Sequence, residues 1–245
     1  MTGISPEVVV VLAAGLGSRL RSAGGPPKPL LPLAGRPLIL RVLDRFAEAG
    51  TREAIAVLGH RGDEVRRGIE GGSSPMPVSF VENPRWELRN GLSAVAAREA
   101  IGGRAFFLSM SDHIFEAGLV AGLAAAGVPE GGLALGVDRK LDRVFDMDDA
   151  TKVRTSGGLI VEIGKDLEEF DAVDTGLFAC STGLLDALAE VSAGRADGDC
   201  SLSEGVGALA SRGLAAAHDV GDGLWQDVDT PGAAAHAEEL FFPET

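Results

Sequence analysis

Between Val8 and Ala13 six apolar residues follow one another without a polar interruption, the pattern of a strand buried on both faces of a parallel sheet. Similar short runs recur at Glu53–Leu58, Val78–Glu82, Ala105–Met110 and Leu133–Val137. Between them the apolar positions shift to helical spacing, over Leu38–Ala49, Asp63–Ile69, Leu92–Ala100 and Leu119–Ala126. This alternation predicts an α/β fold: a mostly parallel central sheet with helices on both faces. The second half reads differently. Lys152–Arg154 and Leu159–Ile163 flank Thr155-Ser156-Gly157-Gly158, which predicts a hairpin and hence a small antiparallel insert. A strand at Val173–Ala179, helices at Leu184–Val191 and Leu202–Ala210, a strand at Ala215–Val220 and a helix at Gly232–Leu240 complete the reading.

Composition narrows the class. The chain has 245 residues, 45% of them hydrophobic and 24% charged, enough for an ordinary core. Its net charge of −14 argues against nucleic acid or an anionic membrane as a general partner. No long apolar run predicts a membrane span, and Met1–Pro6 lacks the pattern of a secretory signal. Cys180 and Cys200 have neither metal-ligand spacing nor a disulfide framework. A cytoplasmic protein is the expectation.

The first strand opens into Gly15-Leu16-Gly17-Ser18-Arg19. Glycines let the backbone approach a phosphate closely, and consecutive N–H groups form an anion-binding concavity. Leu12, Ala13, Ala14, Gly15, Gly17 and Ser18 are therefore candidate nucleotide contacts, with Arg19 as a forked cation. Lys28, held in Pro26-Pro27-Lys28-Pro29-Leu30, can place a point charge on a phosphate. Leu20 stands where a dinucleotide fold needs glycine, and a Walker loop would need Gly-Lys-Ser/Thr. Both readings are disfavoured, and with the first goes an oxidoreductase. The string Leu12-Ala13-Ala14-Gly15-Leu16-Gly17-Ser18-Arg19-Leu20, followed by Pro27-Lys28-Pro29-Leu30, resembles the opening of the nucleotide-diphospho-sugar transferase superfamily.

Asp112 follows a strand in Ser111-Asp112-His113, where catalytic groups gather in open α/β sheets. A hard cation such as Mg²⁺ takes one or two carboxylates plus phosphate oxygens. The superfamily resemblance implies a second carboxylate from a Trp-x-Asp element before the last helix, and Asp227 occupies that place in Trp225-Gln226-Asp227. Asp229 is either a further ligand or the N-terminal cap of the helix near Pro231. Asn90, Gly91 and Ser93, at the start of the Leu92 helix, suit base or acceptor recognition, whereas Trp86 reads as core. Asp142, Asp146, Asp148 and Asp149 read as a solvated loop, and His60, His218 and His236 show no ligand spacing.

Further motifs follow in order: Ser109-Met110-Ser111-Asp112-His113-Ile114-Phe115, Ala150-Thr151-Lys152-Val153-Arg154, Ile163-Gly164-Lys165-Asp166-Leu167, Glu169–Phe178, Leu202-Ser203-Glu204 and Trp225–Thr230. Together they resemble the CTP:inositol-1-phosphate cytidylyltransferase family. The resemblance implies a single nucleotidyltransferase domain over residues 1–245, with a nucleotide-binding half at about 7–140 and an acceptor-binding half at about 141–240. It implies CTP and inositol 1-phosphate as substrates, Mg²⁺ on Asp112 and Asp227, with Asp229 left open as a further or alternative ligand, and catalytic cations at Arg19 and Lys28. His113, Lys152, Lys165, Asp174 and Gly176 become acceptor contacts, with Gly176 leaving room for the ring. Backbone around Leu12 and the loop after Leu58 would read the cytosine. Many members are fused to a membrane-embedded transferase; here either that activity is expected on a separate chain or the product has a different use, and a homodimer is left open. Rival readings are another sugar-1-phosphate or phosphocholine nucleotidyltransferase, and a non-catalytic nucleotide-binding regulator.

Overall fold

The computed structural model of the protein describes residues 5–17 and 25–243. Strand β1 (Val8–Ala13) lies between β4 (Glu53–Leu58) and β6 (Phe106–Met110), parallel to both, and β4 carries β5 (Val78–Glu82) at the sheet edge. Alternation explains why β1 is apolar throughout. Val8, Val10 and Leu12 enter one core, Val9, Val11 and Ala13 the other, and all six are buried. The second core is closed by helices α1 (Leu38–Glu48), which buries Ile39, Leu43 and Phe46, and α2 (Gly62–Gly71). Against the first core pack α3 (Gly91–Ala96) and α4 (Arg98–Ile101). The sequence predicted one helix over Leu92–Ala100; the chain instead turns at Ala97 between two short ones.

The antiparallel component enters the main sheet. After α5 (Ala117–Ala126) and β8 (Leu133–Asp138), the hairpin forms from β9 (Lys152–Ser156) and β10 (Leu159–Gly164). Its turn is Gly157-Gly158, both at positive φ, as a two-residue hairpin requires. Strand β11 (Ala172–Cys180) runs antiparallel to β6, β8 and β9. Helices α6 (Gly183–Ala193) and α7 (Leu202–Ala210) lead to β12 (Ala215–Asp219), which pairs with β8 and β10. The pairings β11–β8, β8–β12, β12–β10, β10–β9 and β9–β11 close a circuit, so the second half is a small barrel-like unit fused to the parallel sheet. Opposite Val137 and Leu135 of β8, the register of β11 slips between Asp174 and Phe178. Such a bulge re-aims side chains beside a site.

Four short strands had no counterpart in the sequence reading. β2 (Pro32–Leu33) and β3 (Arg36–Pro37) form one ribbon. β7 (His113–Phe115) and β13 (Trp225–Asp227) form another, followed by α8 (Pro231–Phe241). A third apolar cluster, with Leu33, Leu38, Ile114, Val228 and Ala237, fixes that second ribbon to α1 and α8.

Candidate active site

The site lies at the carboxyl ends of β1 and β6, where the peptide chain leaves the sheet. The Ala14 carbonyl accepts from the His60 N–H at 2.9 Å, which fixes the start of the phosphate loop to the end of β4. Chain neighbours aside, no atom of the described residues lies within 4 Å of where a Gly15 side chain would project. Gly17 has φ +61°, and a Cβ there would stand 2.6 Å from Lys28 Cβ. Its absence of a side chain is thus what lets Lys28 pack beside the loop. Ser18 and Arg19 lie outside the described residues. Beyond them, the Arg61 guanidinium donates to the Gly25 carbonyl at 2.8 Å. Lys28 opens a single 3-10 turn and is only 7% exposed. Its ammonium donates to Asp112 Oδ2 at 2.5 Å and to Asp229 Oδ1.

The ribbon places the carboxylates. Asp227 pairs with His113 in the register of β7 and β13, and the Val228 N–H donates to the Asp112 carbonyl at 2.8 Å. Asp112, His113 and Asp227 therefore converge, and Asp149, Asp227 and Asp229 form a second group of mutually close ligand atoms. Thr230, not Asp229, caps α8: its hydroxyl accepts from the Ala233 N–H at 3.1 Å. Asp229 is consequently placed on Lys28. Asp149 corrects the solvated-loop reading, because the segment between β8 and β9 returns it to Asp227 of β13 and to Asp229 beyond it.

Electrostatics follow from these contacts. Burial disfavours ionised Asp112, but the Lys28 ammonium and the His113 hydrogen bond (2.8 Å) outweigh it and hold its pKa far below the usual carboxylate range. Burial also opposes protonation of His113, yet Asp227 and Asp112 push its pKa up to about 9. Burial raises the pKa of Asp227, with His113 acting against the rise. One Asp227 carboxylate oxygen, Oδ1, is buried with no hydrogen-bond partner among the described residues. An orphaned oxygen among converging carboxylates fits a hard divalent cation, whose preferred donors are oxygens.

Three cavities meet here, and Met110 at the end of β6 lines all of them. A cleft of about 260 Å³ runs between the loop and Lys28, bounded by Gly15, Gly17, Asp112 and Asp229. On the far side of Asp112 a cavity of about 540 Å³ is lined by His113, Lys165, Asp174 and Gly176. Lys165 there pairs with Asp149 at 2.7 Å. Lys152 does not line this cavity; its ammonium lies 3.4 Å from the Asp148 carbonyl. Burial pushes Asp174 up to about 6, against the stabilising Gly176 N–H bond of 2.7 Å. Gly176, inside the β11 bulge, has φ +72°, and a Cβ would fall 2.4 Å from His113 Cδ2. Its smallness serves His113 directly. The sequence reading missed Asp138 and Lys140: Asp138 is 4% exposed, accepts from the Trp225 indole at 2.7 Å and pairs with Lys140 at 2.8 Å. Trp225 in turn stacks on His113, with ring centroids 6.3 Å apart.

The third cavity, about 530 Å³, contains Leu12, Ala14, Gly15, Trp86, Asn90 and Ser93. Trp86, expected in the core, is half-buried in this wall, its ring centroid 5.0 Å from that of His60. Asn90 Oδ1 accepts from the Leu202 N–H at 2.9 Å, and Ser93 Oγ accepts from Asn83 Nδ2 at 2.9 Å. Gly91 is not part of the wall. It packs on α6 and the start of α7, where a Cβ would lie 2.7 Å from the Cys200 carbonyl oxygen.

The MobA-like NTP transferase domain family matches residues 9–198. The bifunctional IPC transferase and DIPP synthase of Rubrobacter xylanophilus is 38% identical over 240 residues, covering 98% of this chain and 53% of that protein. The CMP-5'-(3-aminopropyl)phosphonate synthase of Streptomyces rubellomurinus is 32% identical over 97% of this chain and 39% of its own length. The chain spans about half the length, or less, of these relatives. Among solved structures, the inositol-1-phosphate CTP transferase of T. maritima superposes with a TM-score of 0.82 at 25% identity, over 94% of this chain and 92% of that one. Among the described residues no helix is long and apolar enough to cross a membrane.

Proposed function

Because the chain belongs to the MobA-like NTP transferase domain family, and is a nucleotidyltransferase, we propose that it transfers CMP from CTP to inositol 1-phosphate. The observation that carries the reading is the shared wall: Asp112 and Asp229 line both the phosphate cleft and the larger cavity, with Lys28 bridging them. A triphosphate in the cleft and a phosphorylated acceptor in the cavity would meet at that wall. Inositol 1-phosphate as acceptor rests on the relatives and on the T. maritima neighbour.

A phosphate oxygen of the acceptor attacks the α-phosphorus; that P–O bond forms as the bond to the β-phosphate oxygen breaks, and pyrophosphate leaves. Phosphate is already nucleophilic at neutral pH, so the protein need not remove a proton. Its work is to bring two anions together and hold them in line. Lys28 supplies a preorganised positive charge beside the reacting phosphorus, and Arg19 with the loop amides holds the outer phosphates. Asp112, Asp227 and Asp229 would hold Mg²⁺, which supplies charge neutralisation and orientation of phosphate oxygens when bound. Lys165 and His113 face the acceptor. The proposal extends to a cytoplasmic reaction whose product would feed phosphodiester osmolytes through a membrane-embedded transferase.

Pyrophosphate release with CTP, UTP and GTP against inositol 1-phosphate, a hexose 1-phosphate and an alkyl phosphonate tests the proposal. Turnover is expected with CTP and inositol 1-phosphate and to stop with a chelator. Activity confined to UTP or GTP with a hexose phosphate would overturn it. Asp112→Asn should lower turnover by about 10²–10³-fold while circular dichroism stays that of the parent.

A further inference from the structure

We propose that Glu87 reads the exocyclic amine of cytosine, and thereby sets the preference for CTP over UTP; the inference rests on the CTP reading above. The cavity of about 530 Å³ adjoins the phosphate cleft through Leu12, Gly15 and Met110, so a nucleoside whose phosphates occupy the cleft extends its base there. The wall is largely apolar, and Glu87 is the one charged residue lining it among the described residues. Glu87 has no hydrogen-bond or ion-pair partner among the described residues.

The other polar groups complete a pattern. Asn90 Oδ1 is committed to the Leu202 N–H, which leaves the Asn90 amide hydrogens to donate. Ser93 Oγ accepts from Asn83, which leaves its hydroxyl proton to donate. The wall therefore offers a carboxylate acceptor from Glu87 and donors from Asn90 and Ser93. Cytosine presents the complement: O2 and N3 accept, and the N4 amine donates. Uracil reverses the last two, placing O4 against the carboxylate and an N3–H against a donor. A carboxylate accepting from cytosine N4 is a recurrent pairing, and a site built for a hydrogen bond rejects the analogue that cannot make it. Asn90 and Ser93 act here as readers of the same edge, each oriented by a neighbour inside the protein.

The test is equilibrium binding of CTP, UTP and inorganic pyrophosphate to the full chain with Mg²⁺ and no acceptor, for the parent, Glu87→Ala and Glu87→Gln. The parent is expected to bind CTP more tightly than UTP. In Glu87→Ala that ratio should fall about tenfold. Glu87→Gln should gain affinity for UTP, because its amide can donate to O4, while retaining part of the CTP affinity. Pyrophosphate affinity should stay unchanged in both. An unchanged CTP-to-UTP ratio overturns the role of Glu87 and leaves the CTP reading standing. Equal losses for all three ligands also overturn it, as the mark of a structural role. A parent with no preference for CTP overturns both inferences.

Discussion

The two sides of the site are built on different chemistry. Apart from Asp112 and Asp229, which it shares with the acceptor cavity, the wall of the phosphate cleft is backbone and uncharged side chains, among them Leu12, Ala13, Gly15 and Gly17, with Lys28 as its one cation among the described residues. Around the acceptor cavity the wall is charged and internally matched, Asp138 by Lys140 and Asp149 by Lys165. A triphosphate brings its own charge and needs room for close approach. A ring of hydroxyls needs fixed polar groups, and these hold their places only when each has a partner. Lys28 stands on the boundary and belongs to both sides.

Breaking the boundary should have the largest effect. Lys28→Met leaves Asp112 and Asp229 without their shared cation, so turnover should drop about 10²–10³-fold. Stability should fall by on the order of 3 kcal/mol, since the carboxylates are only 19% and 20% exposed. Added Mg²⁺ should raise the melting temperature of the variant more than that of the parent. A variant that melts like the parent without cation would show that Lys28 does not hold the aspartates together.

A matched pair of glycines separates the sides. Gly17 and Gly176 both have positive φ, and each clears space for one cationic side chain, Lys28 and His113 respectively. Alanine at either should cost about 2–4 kcal/mol, from the left-handed backbone and the displaced neighbour. Steady-state kinetics should resolve them: Gly17→Ala raises KM for the nucleotide, Gly176→Ala for the acceptor, each about tenfold. Identical kinetic profiles for the two would erase the division.

The smallest effect sharpens the acceptor side alone. Asp174 titrates near 6 in the folded protein and near 3.9 when unfolded, so the native state binds its proton more tightly. Its contribution to stability is present at low pH and is lost as pH rises from about 4 to about 6. Asp174→Asn keeps an oxygen for the Gly176 N–H but cannot ionise. Denaturant unfolding should show that variant stabilised by on the order of 1–2 kcal/mol above pH 6, with no difference below pH 4. The same pH slope in both proteins would remove Asp174 as its source.

Much of this was legible in the residues. The runs at Val8–Ala13 and Glu53–Leu58 are legible to the residue because burial on both faces leaves an apolar string, unbroken in the first and continuous from Ala54 in the second. Gly157-Gly158 announced its hairpin because few other residues tolerate two positive φ values in succession. Asp112 and Lys28 stood out from local context. What escaped were features made by return of the chain. The strands β7 and β13 have three residues each, too short for any period to show. Asp149 looked like one more loop carboxylate until the segment after β8 brought it to Asp227. Lys152 had the right charge in the right motif, and strand geometry placed it outside the cavity wall. Gly91 reads in the sequence as a ligand contact, whereas its missing side chain accommodates Cys200; Gly176 does line the acceptor cavity, and its missing side chain also makes room for His113.

The ribbon of β7 and β13 also bears on how the protein matures. Lys28 finds its two carboxylates 84 and 201 positions along the chain, and Asp227 reaches the others only when β13 has docked on β7. Contacts of such long sequence separation form late, because loop closure must precede any gain from them. A folding intermediate with the parallel strands already paired would still lack its cation site. Affinity for a divalent ion should therefore arrive with the last docking event, which makes metal binding a reporter of completed folding.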